Sequence, residues 1–570
     1  MELLERHFDT AFDAPDGIKT LRELILTLAM QGKLVPQNPK DTPARELIKT
    51  IEREKQLLVK NSTLKVSTML PPVTEFEKMF VLPESWEWVR LGAIAQHNSG
   101  KTLDSGRNSG TSRNYITTSN LYWGRFELDN VRQMLIRDEE LERCTATRGD
   151  LLVCEGGEAG RAAVWEQDSD VCFQNHIHRV RFYGRISPYY GFRLLEYLNA
   201  SGEIEKYRKG VGISNMSSKA LASIPFPLPP VPEQLRIISR IDELMARCDV
   251  LEKLKTERDA RRLAVHTAAV RKLLNVADRE GHVQAREFLG QHFSELYTVK
   301  ENVTELRKAI LQLAVMGKLV PQNPNDSPAS ELLKQIEAEK KRLVKEGTIR
   351  APKSLPPLST DEEPFTLPVG WAWARFSHFT TEIATGPFGS MIHQSDYISG
   401  GVPLINPSHM IEGRIVYDPE VSIPPGMAKE LQSYRLHQDD IVMARRGEMG
   451  RCAIVTSGED GFLCGTGSFI LRFVCEIDRG YILNFFRTEY CREHLGGNSV
   501  GTTMTNLNQG ILEAMPIPVA PAKEQRRIVA KINQMMSLCD ALEQRIDSGS
   551  EKQSALLNAT MAQLGGQRCA

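Results

Sequence analysis

Apolar residues recur every three or four positions at Ile18, Leu21, Ile25 and Leu28, and again at Val303, Leu306, Ile310 and Leu313. Each run predicts a helix with one buried stripe. Gly32 and Gly317 are placed to end these helices, with Pro36 and Pro321 just beyond. A second, highly charged helix is predicted to start near Pro43 and near Pro328, with Asp41-Thr42 and Asp326-Ser327 as candidate caps. Segments 61–82 and 346–367 are rich in Pro, Ser and Thr and read as connectors. From about Trp86 to Ala200, and from Trp371 to Leu495, the pattern shortens to alternating strands with glycine turns. Residues 150–154, 177–182 and 440–444 are the clearest strands. After a proline-rich lead-in, Ile237, Ile241, Leu244, Cys248 and Leu251 step by 4-3-4-3, and Ile528, Ile532, Met535, Cys539 and Leu542 repeat those steps. This is a coiled-coil seam. The first such helix is predicted from Glu233 to about Asn275, spanning ~65 Å, with Pro232 at its first position and Glu233 on the positive end of its dipole.

The chain is therefore written twice. Residues 21–60 recur at 306–345 without gaps, and 27 of these 40 positions are identical. The register continues through Leu70-Pro71-Pro72 and Leu355-Pro356-Pro357 to Trp86-Glu87-Trp88 and Trp371-Ala372-Trp373. Glu233-Gln234 and Glu524-Gln525 open the two long helices. Near-identical ends enclose dissimilar middles, so the halves share a scaffold and differ in what it carries. The middles keep a few marks in common, namely Gly157-Glu158-Ala159-Gly160-Arg161 with Gly447-Glu448-Met449-Gly450-Arg451, and Arg181-Phe182 with Arg472-Phe473.

At 570 residues the chain needs several cores. It has no long apolar run and no basic-then-apolar leader, so a cytoplasmic protein without a membrane span is expected. Its ten cysteines include no CxxC pair, which predicts reduced thiols and no structural metal site. A net charge of −1 does not advertise nucleic-acid binding. Residues 89–212 hold 17 basic and 16 acidic side chains, and residues 374–503 hold 11 and 15. The positives are mostly arginine, which suits bidentate recognition better than a diffuse cationic field.

Candidate contacts follow from side-chain type. Residues 97–102 are not a phosphate loop, because the required first glycine is Ala95. Lys101 and Arg107 instead read as a basic loop. Arg113 precedes a stretch in which Ser119, Asn120, Tyr122, Trp123 and Arg125 gather amide, hydroxyl, aromatic and guanidinium groups that can meet base edges and phosphates. Its counterpart runs through Ser408 and His409 to Arg414. Arg161 and Arg451 are common to both middles and suit positioning, whereas Arg445-Arg446 faces Glu155-Gly156 and is the better specificity candidate. His176 and His178 would share a strand face without carboxylate or thiolate company, so they read as a structural or DNA-facing pair, and no metal is expected. No HExxH, GxSxG, Gly-rich cofactor loop or NPPY/DPPY-type motif is present.

The duplicated GKLVPQNP region, the PLPPVPEQ and PIPVAPAKEQ lead-ins, the GPFGS stretch ending at Ser390 and Ile405-Asn406-Pro407-Ser408-His409 together resemble the specificity subunits of type I restriction–modification enzymes. The resemblance implies an α+β fold with an internal pseudo-two-fold repeat, in which two mixed α/β target-recognition domains are joined by long antiparallel coiled-coil helices. The expected boundaries are an N-terminal helical region 1–85, recognition domains 86–224 and 367–515, a central conserved region 225–366 and a C-terminal helix 516–570. It implies a non-catalytic subunit that reads a split, asymmetric double-stranded DNA target, partnered by two methyltransferase subunits and by restriction/translocase subunits. S-adenosylmethionine, ATP and Mg are expected on those partners and no cofactor on this chain. Ser390 and the candidates above then become DNA-binding candidates. The neutral charge leaves open an assembly scaffold with two protein-binding domains.

Overall fold

The structure, a computed structural model, describes residues 14–61, 70–102, 108–210, 214–275, 279–351, 355–388, 391–448, 450–474, 476–497 and 507–565. The chain forms two compact units, residues 1–257 with 549–570, and residues 258–548. Among the described residues no helix is long and apolar enough to cross a membrane.

The first unit opens with α1 (Gly17–Met30) and α2 (Ala44–Lys60). Gly32 ends α1 as its position predicts, taking φ +69°, and any Cβ there would strike Pro83. The predicted caps of α2 are corrected. Pro43 holds the cap position and no side chain bonds the free amides, while Asp41 turns away to pair with Arg236 at 2.6 Å. The same substitution of roles occurs in the second unit, where Pro328 caps the helix Ala329–Lys345 and Asp326 pairs with Arg527. A cap worth ~1 kcal/mol is given up for an ion pair that ties the helix start to the long helix.

The first variable domain holds β1 (Glu87–Arg90), β2 (Ala95–Ser99), β3 (Thr111–Ile116), β4 (Arg132–Ile136), β5 (Thr145–Ala146), β6 (Leu151–Cys154), β7 (Ala162–Val164), β8 (Val171–Phe173) and β9 (Ile177–Phe182). Helix α3 (Pro188–Ala200), β10 (Pro225–Leu228) and the 44-residue α4 (Val231–Leu274) follow. One antiparallel sheet has the order β7-β6-β9-β2, a second has β4-β3-β8-β5 with β3 parallel to β8, and β1 pairs with β10. The central strands read as unbroken apolar runs because both sheet faces are buried. Leu151, Val153 and Val180 face the core shared with α1, α3 and α4, whereas Leu152, Cys154 and Ile177 face the second sheet.

The second unit contains α5 (Arg279–Gln291), α6 (Lys300–Val315) and α7 (Ala329–Lys345). Its variable domain has β11 (Ala372–Arg375), β12 (Thr380–Thr385), β13 (Val402–Ile405), β14 (Ser422–Ile423), β15 (Ile441–Ala444), β16 (Cys452–Ile454), β17 (Leu463–Cys464) and β18 (Ser468–Phe473). Helix α8 (Arg479–Phe486) and β19 (Pro516–Val519) follow, and then the 44-residue α9 (Ala522–Gly565), which belongs to this unit as far as residue 548. The sheet order β16-β15-β18-β12 reproduces that of the first domain, as do the parallel pair β13/β17 and the ribbon β11/β19. Divergent sequence has kept one topology.

The connectors turn out to be built structure. Arg90, only 7 % exposed, donates to the carbonyls of Pro71, Pro72 and Ser223 and to both oxygens of Glu77. Arg375 repeats every one of these bonds with Pro356, Pro357, Ala514 and Glu362. Each guanidinium thus staples a proline-rich connector to the entry and exit of its variable domain.

The 4-3-4-3 positions also have a described partner. Ile237, Ile241 and Cys248 are buried in one core with Ile18 and Ile25, and Arg22 bonds Asp249 and Glu252 beside them. Ile528, Ile532 and Cys539 are buried with Val303 and Ile310, flanked by Arg307 with Asp540 and Glu543. The seam is a helix-on-helix contact in which α1 and α6 lie against the first turns of α4 and α9.

Candidate nucleic-acid interface

Four separate segments of the first variable domain meet where the parallel strands β3 and β8 end. They are Gly100-Lys101 after β2, the turn Thr117–Asn120 after β3, Glu155–Arg161 after β6, and Gln174–His176 between β8 and β9. Ligands of open sheets gather at such carboxyl ends. Backbone bonds knit the segments into one edge. Gln174 N donates to Ile116 O at 2.9 Å, Lys101 N to Phe173 O at 3.0 Å, Asn175 N to Lys101 O at 2.9 Å and Glu155 N to His176 O at 2.8 Å. A Cβ on Gly100 would lie 2.0 Å from Phe173 O, so only glycine fits this crossing.

The second variable domain builds the same edge from Gly386–Phe388, Asn406–His409, Arg445–Arg451 and Gly465–Gly467. Gly465 N donates to Ile405 O, Gly386 N to Ser468 O and Arg445 N to Gly467 O, each at 2.8 Å. A Cβ on Gly386 would meet Gly465 O at 2.4 Å.

Within this frame several candidates change role. Asn120 is 5 % exposed, and its Oδ1 accepts from Thr117 N and Oγ1 while its Nδ2 donates to Glu127 O. His409 stands at the same place in the other turn, with Nδ1 3.3 Å from Asn406 N and 3.1 Å from Leu404 O. Both brace their turns from inside. The exposed members of those turns are Ser119 and Ser408. His178 is fully buried, with Nε2 3.0 Å from Met216 O and 3.7 Å from Glu155, and burial holds its pKa down. The histidine pair is also corrected. His176 lies in a turn, because β9 starts only at Ile177, so the two rings do not share a strand face.

The basic candidates are largely neutralised. Lys101 pairs with Glu140, both side chains being mostly buried, and this bond holds the Glu140 carboxyl down at about 2. Lys101 is therefore not a free loop cation. Arg113 sits mid-strand and pairs with Asp138 at 3.1 Å. Arg125 is exposed, pairs with Glu127 and lies 4.9 Å from the Tyr122 ring, which Arg161 approaches to 5.3 Å. Trp123 Nε1 donates to Glu158 at 2.6 Å. Arg161 donates to Thr118 O at 2.7 Å and pairs with Glu158, and Arg451 repeats this with Pro407 O and Glu448. The shared Gly-Glu-x-Gly-Arg mark is thus a clasp on the turn, which is why it is common to both domains. Arg414 and Arg446 are exposed, whereas the Arg445 guanidinium lies 4.9 Å over the Phe469 ring. Arg107 and Ser390 lie outside the described residues.

Residue types alone did not single out Gln174, Asn175 or the exposed Phe388, and gave His176 only as half of a histidine pair. The available signal was a polar tripeptide wedged between two apolar strands. Among the described residues no three His, Cys, Asp or Glu side chains are grouped to hold a metal, and the eight described cysteines are buried free thiols.

Known proteins resemble the chain over most of its length. A family profile described as the type I restriction modification DNA specificity domain matches residues 83–258 and 389–549. The chain is 32 % identical over 569 residues to the type I restriction enzyme EcoAI specificity subunit of Escherichia coli, covering 95 % of this chain and 93 % of that protein. It is 32 % identical over 581 residues to the EcoEI specificity subunit of the same organism, with the same coverage. Among solved structures, the HsdS subunit from Thermoanaerobacter tengcongensis aligns at 17 % identity and TM-score 0.41, over 85 % of this chain and 98 % of that one.

Proposed function

The chain belongs to the specificity subunits of type I restriction–modification enzymes, and from that premise we propose that its two target-recognition domains read the two halves of a split, asymmetric DNA sequence. The observation that carries this reading is the duplicated edge. One topology, one set of backbone crossings and one arginine clasp present different exposed side chains in the two domains. A single rigid frame with two unlike displays is what an asymmetric target requires.

The mostly paired cations imply that this subunit alone grips phosphate weakly, since sequence-independent affinity scales with the number of phosphates neutralised. Two methyltransferase subunits and restriction/translocase subunits would supply that grip, along with S-adenosylmethionine, ATP and Mg for the chemistry. The chain itself would be non-catalytic. The charged faces of α2 and α7 are the surfaces we assign to partner docking, and the two 44-residue helices, each ~66 Å long by the α-helical rise, would set the gap between half-sites.

Mapping modified bases in cells that carry this chain with its methyltransferase tests the reading. A two-part asymmetric sequence with a constant gap is expected; modification without a shared sequence, or a palindrome, would refute it. Adding one heptad to both long helices should lengthen the gap and leave the bases unchanged.

A further inference from the structure

Most hydrogen-bonding side chains at the first edge are already committed. Asn120 braces a turn, Lys101 and Arg161 are ion-paired, Trp123 is bonded to Glu158, and the Ser119 hydroxyl lies 2.7 Å from that of Thr117. Gln174, Asn175 and His176 are the exception. Their backbone is pinned on both sides, with Gln174 N and Asn175 N donating, and Gln174 O and His176 O accepting from Ile177 N and Glu155 N. Their side chains are half-buried, half-buried and exposed, and among the described residues none of the three has a hydrogen-bond or ion-pair partner. A rigid backbone presenting uncommitted polar groups is the arrangement that base readout needs.

The second edge shows the complementary choice. Gln174-Asn175-His176 aligns with Gly465-Thr466-Gly467, and Gly156 aligns with Arg446. The His176 ring occupies the space beside Gly156, where an added Cβ would come within 3.9 Å of Nδ1. In the other domain the large side chain is on the opposite segment, at exposed Arg446, while Gly467 takes φ +80° with open space where its Cβ would stand. Each edge therefore displays a polar side chain at this place, drawn from a different strand connection.

We propose that Gln174, Asn175 and His176 are the base-reading element of the first target-recognition domain, and that Arg446 takes the corresponding part in the second. The inference rests on the two-domain DNA reading above and names the side chains that carry it. The chemistry predicts the bases. Carboxamides pair bidentately with adenine N6 and N7 in the major groove, and a guanidinium pairs with guanine O6 and N7.

The test uses the complex of the full chain with its methyltransferase subunits, selecting bound duplexes from a randomised pool at several salt concentrations. If the wild-type complex selects no two-part sequence, the family-based reading fails irrespective of this proposal. If it does, Asn175→Asp, Gln174→Met and His176→Ala should each relax one or two adjacent base pairs by ~10- to 100-fold. The other half-site should stay as in wild type, and for Gln174→Met so should the salt dependence, because that change neither adds nor removes a charge. A second variant joins Gln174→Gly, Asn175→Thr and His176→Gly with Gly156→Arg, copying the second edge into the first. It should bring a guanine preference to that place. Unchanged base preference in all of these variants, or equal weakening on every sequence, overturns the proposal.

Discussion

The two target-recognition domains agree in the side chains that staple the frame to its connectors and differ at the edge and just beneath it. Arg90 and Arg375 make the same set of bonds 285 residues apart, and Tyr190 and Tyr481 each donate to the second proline of an equivalent strand, Pro227 and Pro518. At the start of the third strand of the main sheet the pairing changes outright. The first domain sets Glu155 against buried His178, while the second sets Arg445 over the Phe469 ring. A carboxylate on an imidazole has been exchanged for a cation on a π-face, two unrelated ways to satisfy one half-buried position. Specificity can diverge here because the frame is stabilised elsewhere.

The largest expected effect comes from exchanging residues 89–212 for the corresponding region of another family member. One half of the modified sequence should change completely and the other not at all, as read by mapping modified bases. A change in both halves would show that the domains are not independent readers. Next, Arg90→Ala and Arg375→Ala should each destabilise their own unit by ~2–4 kcal/mol, since buried carbonyls and a carboxylate lose their donor together. Hydrogen exchange resolved by segment measures this. A large loss in one unit and none in the other would show that the two staples, alike in geometry, are unlike in energy.

A smaller effect is expected at the exchanged pair. Glu155→Arg with His178→Phe should be less destabilising than the sum of the two single changes by ~0.5–1.5 kcal/mol, the range of a partly shielded cation–π contact. Additive losses in a double-mutant cycle would mean that the position is not a unit. The smallest effect is acid sensitivity. Arg90 and the Thr74 groups hold Glu77 at about 2, and Ser359 N with Arg375 does the same for Glu362, against an ordinary value of 4.5. Folded-state values below the unfolded ones mean that this stabilisation is full above about pH 4.5 and drains as pH falls towards about 2. Glu77→Gln or Glu362→Gln should flatten acid unfolding across that window; an unaltered slope would leave the carboxylates without a part in it.

Much of the frame was legible beforehand because it is repeated and periodic. The strands at 177–182 and 441–444, the glycine that ends α1 and the seam of α4 all follow from spacing. The interface was less legible. Asn120, His178 and His409 carry the right functional groups, yet all three face inward, and the direction a polar side chain takes depends on contacts far along the chain. Likewise Thr42 had the chemistry of a cap, but Asp41 was drawn to Arg236, 195 residues away.

Period, repeat and turn residues therefore determined two copies of one scaffold around two different inserts, because such patterns depend on neighbours within a few residues. Only the tertiary structure decided which polar groups are held inside, which cations are neutralised and which three side chains at the end of β8 stay uncommitted. Those outcomes depend on groups brought together from four separate segments. No local pattern records what a side chain will meet on the other side of a sheet.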